Sequence, residues 1–153
     1  NLRTPMQLIV EKISQLGIGW NERPLNEDDF YNICKRFKIG VTEMPLTVGG
    51  FYYRVMGKDF IAVDCKLSGP RKLLVLFHEL GHFLLHTPDT GATANFHGIG
   101  RRGRKEIEAD AFALCSVIPK SLIESRSLEE LIHDGIDPDA LRERVEIYRR
   151  HGI

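Results

Sequence analysis

The chain has 153 residues, of which 42% are hydrophobic and 27% are charged. That balance is typical of one globular domain and excludes intrinsic disorder. Its 21 basic and 21 acidic residues cancel, so we expect no strong direct binding of nucleic acid and no attraction to an anionic membrane. No apolar run approaches the roughly 18 residues that a membrane-spanning helix needs.

The cysteine pattern and the N-terminal segment indicate a cytoplasmic protein. Three cysteines are widely spaced, without a C-x-x-C pair: Cys34, Cys65 and Cys115. An odd number at such spacing fits neither a disulfide framework nor a thiolate zinc site, so we predict buried free thiols in a reducing compartment. Residues 1–17 include charged side chains and no small-residue cleavage site, so we do not expect them to be a signal peptide. The chain begins at Asn1 rather than Met, and the sequence leaves open whether residues precede Asn1; no pattern indicates an oligomeric state.

The first part of the chain predicts two helices. Apolar residues recur at helical spacing from Pro5 to Leu16, which predicts an amphipathic helix. After a glycine-rich loop, Asn26 is a good N-cap with Asp29 three residues later. Apolar residues at helical spacing then continue to Phe37, so a second helix is expected there.

Three strands are predicted next. Residues Val41 to Leu46 suit a strand, although Pro45 confines it to a sheet edge. Phe51 to Met56 and Phe60 to Cys65 are rich in aromatic and β-branched residues and flank a turn at Gly57. This pattern predicts an antiparallel hairpin.

The second half of the chain is mainly helical by pattern. A long apolar helix is expected from Gly69 to about His86, and another from Lys105 to Ile118. Between them, residues Asp89 to Arg104 contain four glycines and no periodicity, so we predict a long surface loop.

Two further helices follow before the C-terminus. Ser127 with Glu130 forms a capping box, and Asp137 with Pro138 starts a helix that Gly152 ends. Because helices precede and follow one block of strands, the fold class is predicted as α+β rather than alternating α/β.

The pattern H-E-x-x-H on the long apolar helix is the motif that carries chemistry. A spacing of four places His78 and His82 on one helical face, about 6 Å apart along the axis, so both imidazoles can reach one ion. Neutral imidazole suits Zn²⁺. Glu79 can then take a proton from water and return it to a leaving amine. The alternative interpretation is a core helix whose polar groups pair with one another.

A catalytic zinc needs a third protein ligand. The metzincin pattern would place it at position 88, which is Pro88, so that class is excluded. On the next helix, Glu106 and Asp110 share one face by their spacing of four. Glu106 can ligate and Asp110 can accept a ring N–H from a ligating histidine. Spacing alone leaves Glu106 equally well explained as a solvated acid at a helix N-terminus.

Neighbouring residues receive simpler interpretations. His86 is about 12 Å along the axis from His78 and cannot share its ion, so we expect it to bond backbone or to cap the helix end. Glu108 is expected to be solvated, and it is the substitute metal ligand if Glu106 does not bind. The small residues Ala109 and Ala113 would let the two helices approach closely.

Over roughly residues 25 to 120 the chain resembles the ImmA/IrrE-type zinc metallopeptidases. The resemblance lies in the segments Phe60–Asp64, His78–His82 with His86, Glu106-x-x-Ala109-Asp110-x-Phe112-Ala113, and Ile118-Pro119. It implies a zincin-like, gluzincin-type site with His78, His82 and Glu106 on zinc and Glu79 as base. It also implies a protein substrate of one kind, helix-turn-helix repressors cleaved to switch on phage, mobile-element or stress genes.

Two departures from the family pattern are visible. Longer members of the family have extra sensor domains, whereas we expect residues 121–153 to form only a helical tail. We therefore predict a single domain, residues 1–153, whose catalytic core covers about 25–120 and whose small, mostly antiparallel sheet packs on helices with the H-E-x-x-H helix central. Asp110 stands where the family often has Asn, and both accept a hydrogen bond.

The sequence thus predicts a cytoplasmic zinc metalloendopeptidase that cleaves a DNA-binding repressor. The alternatives are a non-hydrolytic module that sequesters a repressor or antitoxin, and a small-amide hydrolase, for which a cysteine-bearing ligand loop is missing. Mn²⁺ and Fe²⁺ suit the same ligands. Candidates for oxyanion or substrate contacts, by location, are His97, Tyr52 and Tyr53. Strand Phe60–Asp64 could pair with an extended substrate if its edge is free.

Overall fold

A computed structural model describes residues 4–86 and 103–153, together with the backbone of residues 93–96. The helices are α1 Pro5–Ser14, α2 Glu27–Arg36, α3 Gly69–His86, α4 Arg104–Val117, α5 Lys120–Ser125, α6 Leu128–His133 and α7 Pro138–His151. The strands are β1 Ile39–Met44, β2 Gly50–Val55, β3 Lys58–Asp64 and β4 Thr93–Phe96. The predicted α+β class is confirmed.

Chain contacts divide the molecule into two compact units. One, the central unit, is Asn26–Ala113, and the other, the terminal unit, combines Asn1–Leu25 with Leu114–Ile153. The organisation as one catalytic domain with a helical tail stays a prediction. Among the described residues, no helix is both long enough and apolar enough to cross a bilayer.

Helix starts follow the predicted capping residues. At α2 the Asn26 side chain accepts from the Asp29 N–H, and the Asp29 carboxylate accepts from the Asn26 N–H. Ser127 and Glu130 form the same reciprocal pair at α6. Asp137 accepts from the N–H of Ala140, the third residue of α7. These predictions are confirmed. They could be made from the sequence because the capping partners are only three residues apart.

The sheet has four strands in the order β1-β3-β2-β4. β2 and β3 form the predicted antiparallel hairpin, and β2 also pairs antiparallel with β4. β1 pairs with β3 in parallel, so the sheet is mixed although two of its three pairings are antiparallel. The predicted edge position of the first strand is confirmed, but β1 begins at Ile39 and ends before Pro45.

Two predictions about the sheet are wrong. β3, which includes Phe60–Asp64, lies between β1 and β2, so it has no free edge for a substrate strand. The predicted loop Asp89–Arg104 contains β4, where Phe96 pairs with Phe51 and Thr93 pairs with Arg54. Both errors concern partners that are distant in sequence, which a local pattern does not specify.

The core of the central unit lies between the sheet and α3. Tyr52 and Ile61 from the sheet and Phe77 and Leu80 from α3 are at most 1% exposed. The Phe30 ring of α2 meets Phe77 edge-on, with centroids 5.7 Å apart. Each fully buried large apolar side chain stabilises the fold by about 1.5–3 kcal/mol. α3 is therefore held against the sheet as the buried, central helix.

A glycine at the start of β2 permits close packing against α3. A β-carbon on Gly50 would lie 2.7 Å from the Ala62 carbonyl oxygen and 3.0 Å from Cγ1 of Val75. The same position is 3.5 Å from Cγ of Glu79. Only glycine fits there without displacement, so β2 passes directly beside the acid of the H-E-x-x-H motif.

Lys72 links three elements of the central unit. Its ammonium lies 2.8 Å from Glu27 of α2 and 2.9 Å from Glu43 of β1. Hydrogen bonds to these two carboxylates raise the pKa of Lys72, which sits near the start of α3. The pair of contacts holds α3 in register with α2 and with the sheet edge.

The terminal unit has its own core and a buried arginine. Ile118, Leu131 and Leu141 form an apolar cluster. Arg144 is fully buried, and it donates to the carbonyl oxygens of Ile118 at 2.5 Å and of Ile153 at 2.9 Å and to the Asn21 side-chain oxygen at 3.0 Å. Burial lowers the pKa of Arg144.

The three cysteines are free. Cys34 and Cys115 are buried, as predicted, whereas Cys65 is exposed just after β3, so the prediction of a buried thiol is wrong there. Burial raises the pKa of Cys34 to about 12 and that of Cys115 to about 11. These two thiols are therefore protonated at neutral pH.

Candidate metal centre

Two helices bring three donor side chains together. His78 and His82 occupy successive turns of α3, and Glu106 lies in the first turn of α4. The Nε2 atoms of His78 and His82 lie 3.3 Å and 2.8 Å from the two Glu106 carboxylate oxygens. One ligand atom from each of the three residues lies within 4.8 Å of the others. The described residues thus include a group that could hold a metal ion.

Small residues set the distance between α3 and α4. A β-carbon on Gly81 would lie 3.3 Å from the Cα of Ala109 and 3.0 Å from the Phe112 ring. Ala109 is fully buried, as expected of a contact between helices. The Phe77 and Phe112 rings pack beside it, with centroids 6.4 Å apart. The small residues on α4 were predicted to allow this approach, whereas their counterpart on α3, Gly81, was missed.

Asp110 contacts the other face of the first histidine. Its Oδ1 lies 2.5 Å from Nδ1 of His78, the nitrogen that points away from Glu106. His78 therefore sits between two carboxylates of α4, one on each ring nitrogen. The Asp110 side chain is 31% exposed and that of His78 is 13% exposed. This is the placement that the spacing of Glu106 and Asp110 suggests.

The second histidine is followed by two residues that were misjudged from sequence. Nδ1 of His82 lies 3.2 Å from Nδ1 of His86, and Nε2 of His86 lies 2.8 Å from Oε1 of Glu108. The expectation that His86 bonds backbone or caps the helix end is wrong, and so is the expectation that Glu108 is solvated, since it is 9% exposed. Burial lowers the pKa of His86, while the hydrogen bond to Glu108 opposes that shift.

The available signal for this pair was periodicity. His86 follows His82 at the same spacing of four that separates His78 from His82, so all three rings lie along one side of α3. The partner of His86 depends on how α4 crosses α3, which no local pattern gives.

Glu79 lies on α3 but toward the sheet. It is 1% exposed, and its Cγ is near the position that a β-carbon on Gly50 would take. The motif therefore places Glu79 in the layer between α3 and β2, next in the chain to one of the donor histidines.

The remaining predicted site residues are placed as follows. Tyr52 is fully buried and its hydroxyl donates to Asp59 at 2.7 Å, a position that favours a structural role. The Tyr53 ring stacks on Phe60 with centroids 5.0 Å apart. His97 lies outside the described residues.

The donor set suits a divalent cation. Two imidazole nitrogens and one carboxylate are the protein ligands that open catalytic zinc sites use, with a fourth position left for water or substrate. Two carboxylates contact the rings, those of Glu106 and Asp110, and the Glu79 carboxylate is buried on the same helix. Their negative charge in a partly buried site is costly without a compensating cation. The residues therefore fit a metal of charge +2, and the chemistry such a group supports is hydrolysis.

Comparison with known proteins agrees with this geometry. The model of a family described as the IrrE N-terminal-like domain (Peptidase_M78) matches residues 34–147, which is well over half of the chain and includes α3 and α4. No curated protein and no solved structure matches the chain.

Proposed function

The chain belongs to the family of IrrE N-terminal-like peptidases, and on that premise we propose that it is a zinc-dependent metalloendopeptidase. Family membership supports a metallopeptidase-type function with a protein substrate. The observation that carries the proposal for this chain is the convergence of His78, His82 and Glu106, whose donor atoms lie within 4.8 Å of one another. The acid of the same motif, Glu79, follows directly after the first donor.

We assign the following roles to the residues. Nε2 of His78, Nε2 of His82 and the Glu106 carboxylate would hold zinc, the metal that best suits this donor set. When bound, zinc would polarise the scissile carbonyl and lower the pKa of a water molecule. The Glu79 carboxylate accepts a proton from water and returns it to the leaving amine. Asp110 accepts the Nδ1–H of His78 and so keeps the lone pair of that ring on Nε2.

The proposed substrate is a helix-turn-helix transcriptional repressor in the cytoplasm. This part of the proposal comes from the resemblance to ImmA/IrrE-type metallopeptidases, whose substrates are of that kind. Cleavage of the repressor at a single site would relieve repression of mobile-element or stress genes.

The test uses two variants that separate metal binding from chemistry. Glu79→Gln should keep one zinc per chain but lower the cleavage rate about 10²–10⁴-fold, because the proton acceptor is lost. His78→Ala should lose both zinc and cleavage. Glu129→Gln, at an exposed position on α6, is the matched control and should behave as wild type.

The readouts are elemental analysis of the purified protein and mass spectrometry of a helix-turn-helix repressor incubated with it. Elemental analysis also tells zinc from manganese or iron. If Glu79→Gln relieves repression as well as wild type does, hydrolysis is not the mechanism, and sequestration of the repressor replaces it.

A further inference from the structure

We propose that His86 and Glu108 are positioning residues for the metal centre. Their side chains would hold the ring of His82 in the tautomer that is protonated on Nδ1 and leaves Nε2 able to bind the metal, as Asp110 does for His78. The inference rests on the proposed metal centre and adds to it two residues, His86 and Glu108, that lie outside the H-E-x-x-H pattern.

The geometry is a chain of three side chains, His82, His86 and Glu108, which we call the relay. Nδ1 of His82 is 3.2 Å from Nδ1 of His86, and Nε2 of His86 is 2.8 Å from Glu108. The rings of His82 and His86 have centroids 5.3 Å apart. For the other candidate ligand, His78, the link to a carboxylate is direct, since its Nδ1 lies 2.5 Å from Asp110. The hydrogen bonds from each of these two histidines therefore lead to a carboxylate of α4.

The proton positions follow from the order of these contacts. A metal on Nε2 of His82 uses the lone pair of that atom, so the ring proton must be on Nδ1. That N–H can donate only if Nδ1 of His86 accepts, which puts the His86 proton on Nε2. From there it donates to the Glu108 carboxylate, which in its ionised form only accepts. Each hydrogen bond therefore determines which atom donates in the next one.

Burial makes the arrangement hard to replace with water. The His86 and Glu108 side chains are 6% and 11% exposed, and His82 is fully buried. Hydrogen bonds among buried polar groups are costly to break because no solvent molecule takes over the lost partner. Farther out, Glu108 lies 3.6 Å from Arg104, whose side chain is 81% exposed. The buried part of the relay thus ends at Glu108.

The experiment measures metal affinity and the stability of the metal-free protein. His86→Phe keeps a ring of similar size but has no acceptor for the His82 N–H, and it should weaken Zn²⁺ binding about 10–100-fold. His86→Asn places an amide oxygen near the position of Nδ1 and should recover most of that loss. Glu108→Ala leaves the His86 ring in place without its anchor and should also weaken binding. Glu129→Gln, at an exposed position on α6, is the control and should bind as wild type.

A spectroscopic readout tests the proton positions directly. In the zinc-loaded wild type, ¹⁵N NMR should show His82 protonated at Nδ1 and His86 protonated at Nε2. In Glu108→Ala the His86 signal should change toward a mixture of tautomers. A role limited to anchoring the end of α3 would lower the melting temperature of the metal-free variants and leave zinc affinity and tautomers unchanged.

The outcomes separate this inference from the proposed function. If wild type binds one Zn²⁺ per chain and both His86→Phe and Glu108→Ala bind it equally well, the relay is overturned and the peptidase proposal stands. Where His86→Phe does not fold, wild-type affinity in Glu108→Ala alone overturns the relay. If the variants bind zinc weakly but loaded wild type cleaves no repressor, the relay stands and the peptidase proposal fails. A wild type that binds no Zn²⁺ overturns both.

Discussion

A β-carbon on Gly81 of α3 would lie 3.3 Å from the Cα of Ala109 on α4. The two helices are therefore in contact through their backbones, one residue before His82 and three residues after Glu106. Because His82 and Glu106 come from different helices, their separation depends on this contact. Packing between small residues thus determines the dimensions of the candidate metal centre.

Gly81→Ala is expected to push the helices apart. An added methyl group would lie 3.3 Å from the Ala109 Cα and 3.0 Å from the Phe112 ring, so these neighbours must shift. Overpacking of this kind costs about 1–3 kcal/mol. Urea denaturation should show a lower free energy of unfolding, and chelator competition should show weaker zinc binding. Gly103→Ala makes the same change at a position with nothing within 4 Å and should leave zinc affinity unchanged. Equal zinc affinity in Gly81→Ala and wild type would show that the helix spacing does not control the site.

Zinc is expected to stabilise the fold because it would join α3 to α4. At a free concentration 100 times the dissociation constant, a ligand of the folded state adds about 2.7 kcal/mol, equivalent to roughly 5–10 °C for a domain of this size. Differential scanning fluorimetry with and without a chelator measures the shift. Glu106→Ala should abolish most of it, and Glu129→Ala on α6 should preserve it. A shift that survives Glu106→Ala would exclude Glu106 as a ligand.

Arg144→Met is expected to destabilise the terminal unit strongly. The buried Ile118 carbonyl oxygen would lose its Arg144 donor, and the part-buried oxygens of Asn21 and Ile153 would each lose one as well. A buried acceptor left without a partner costs about 1–3 kcal/mol. Arg142→Met, on the same helix with a side chain 78% exposed, is the control and should change stability by less than about 0.5 kcal/mol. Equal unfolding midpoints for the two variants in urea would contradict the structural role of Arg144.

Alkylation should distinguish the three cysteines. Only the thiolate reacts, so at pH 8 iodoacetamide should modify the exposed Cys65 and leave Cys34 and Cys115 intact, as read by mass spectrometry of native protein. Cys65→Ser should then take up no label. Modification of Cys34 as fast as Cys65 would contradict its burial.

The raised thiol pKa values also predict an alkaline limit to stability. In the unfolded chain Cys34 ionises near its ordinary value of 9.0, whereas in the folded chain its pKa is about 12. Between these values the folded state binds more protons, so stability is complete below about pH 9 and falls as the pH rises toward 12. Cys34→Ala should unfold with a smaller loss of stability over that range, measured by urea denaturation at each pH.

Sequence predicts those parts of this fold that depend on near neighbours. The start of α2 at Asn26 and that of α6 at Ser127 could be predicted because the capping partners are three residues away. The placement of His78 and His82 on one face follows from helical periodicity in the same way. Glu106 needed a further argument, since its approach to these rings depends on how two helices pack.

Features that depend on distant partners were missed. β4 has four residues and exists through its pairing with β2, so its own composition gives little indication of a strand. Glu108 was expected in solvent because a helix surface position says nothing about the neighbour that covers it. His86 was assigned to the helix end for the same reason. In each instance tertiary packing supplies the partner, and a local pattern has no access to it.

The spacing of the three histidines on α3 constrains how this helix can change in evolution. One residue inserted or deleted between His78 and His86 would rotate every later side chain by about 100°. Such a change would carry His86 away from Glu108, or His82 away from Glu106, while the helix itself stayed intact. We therefore expect homologues to vary in this segment by substitution and to keep its length constant.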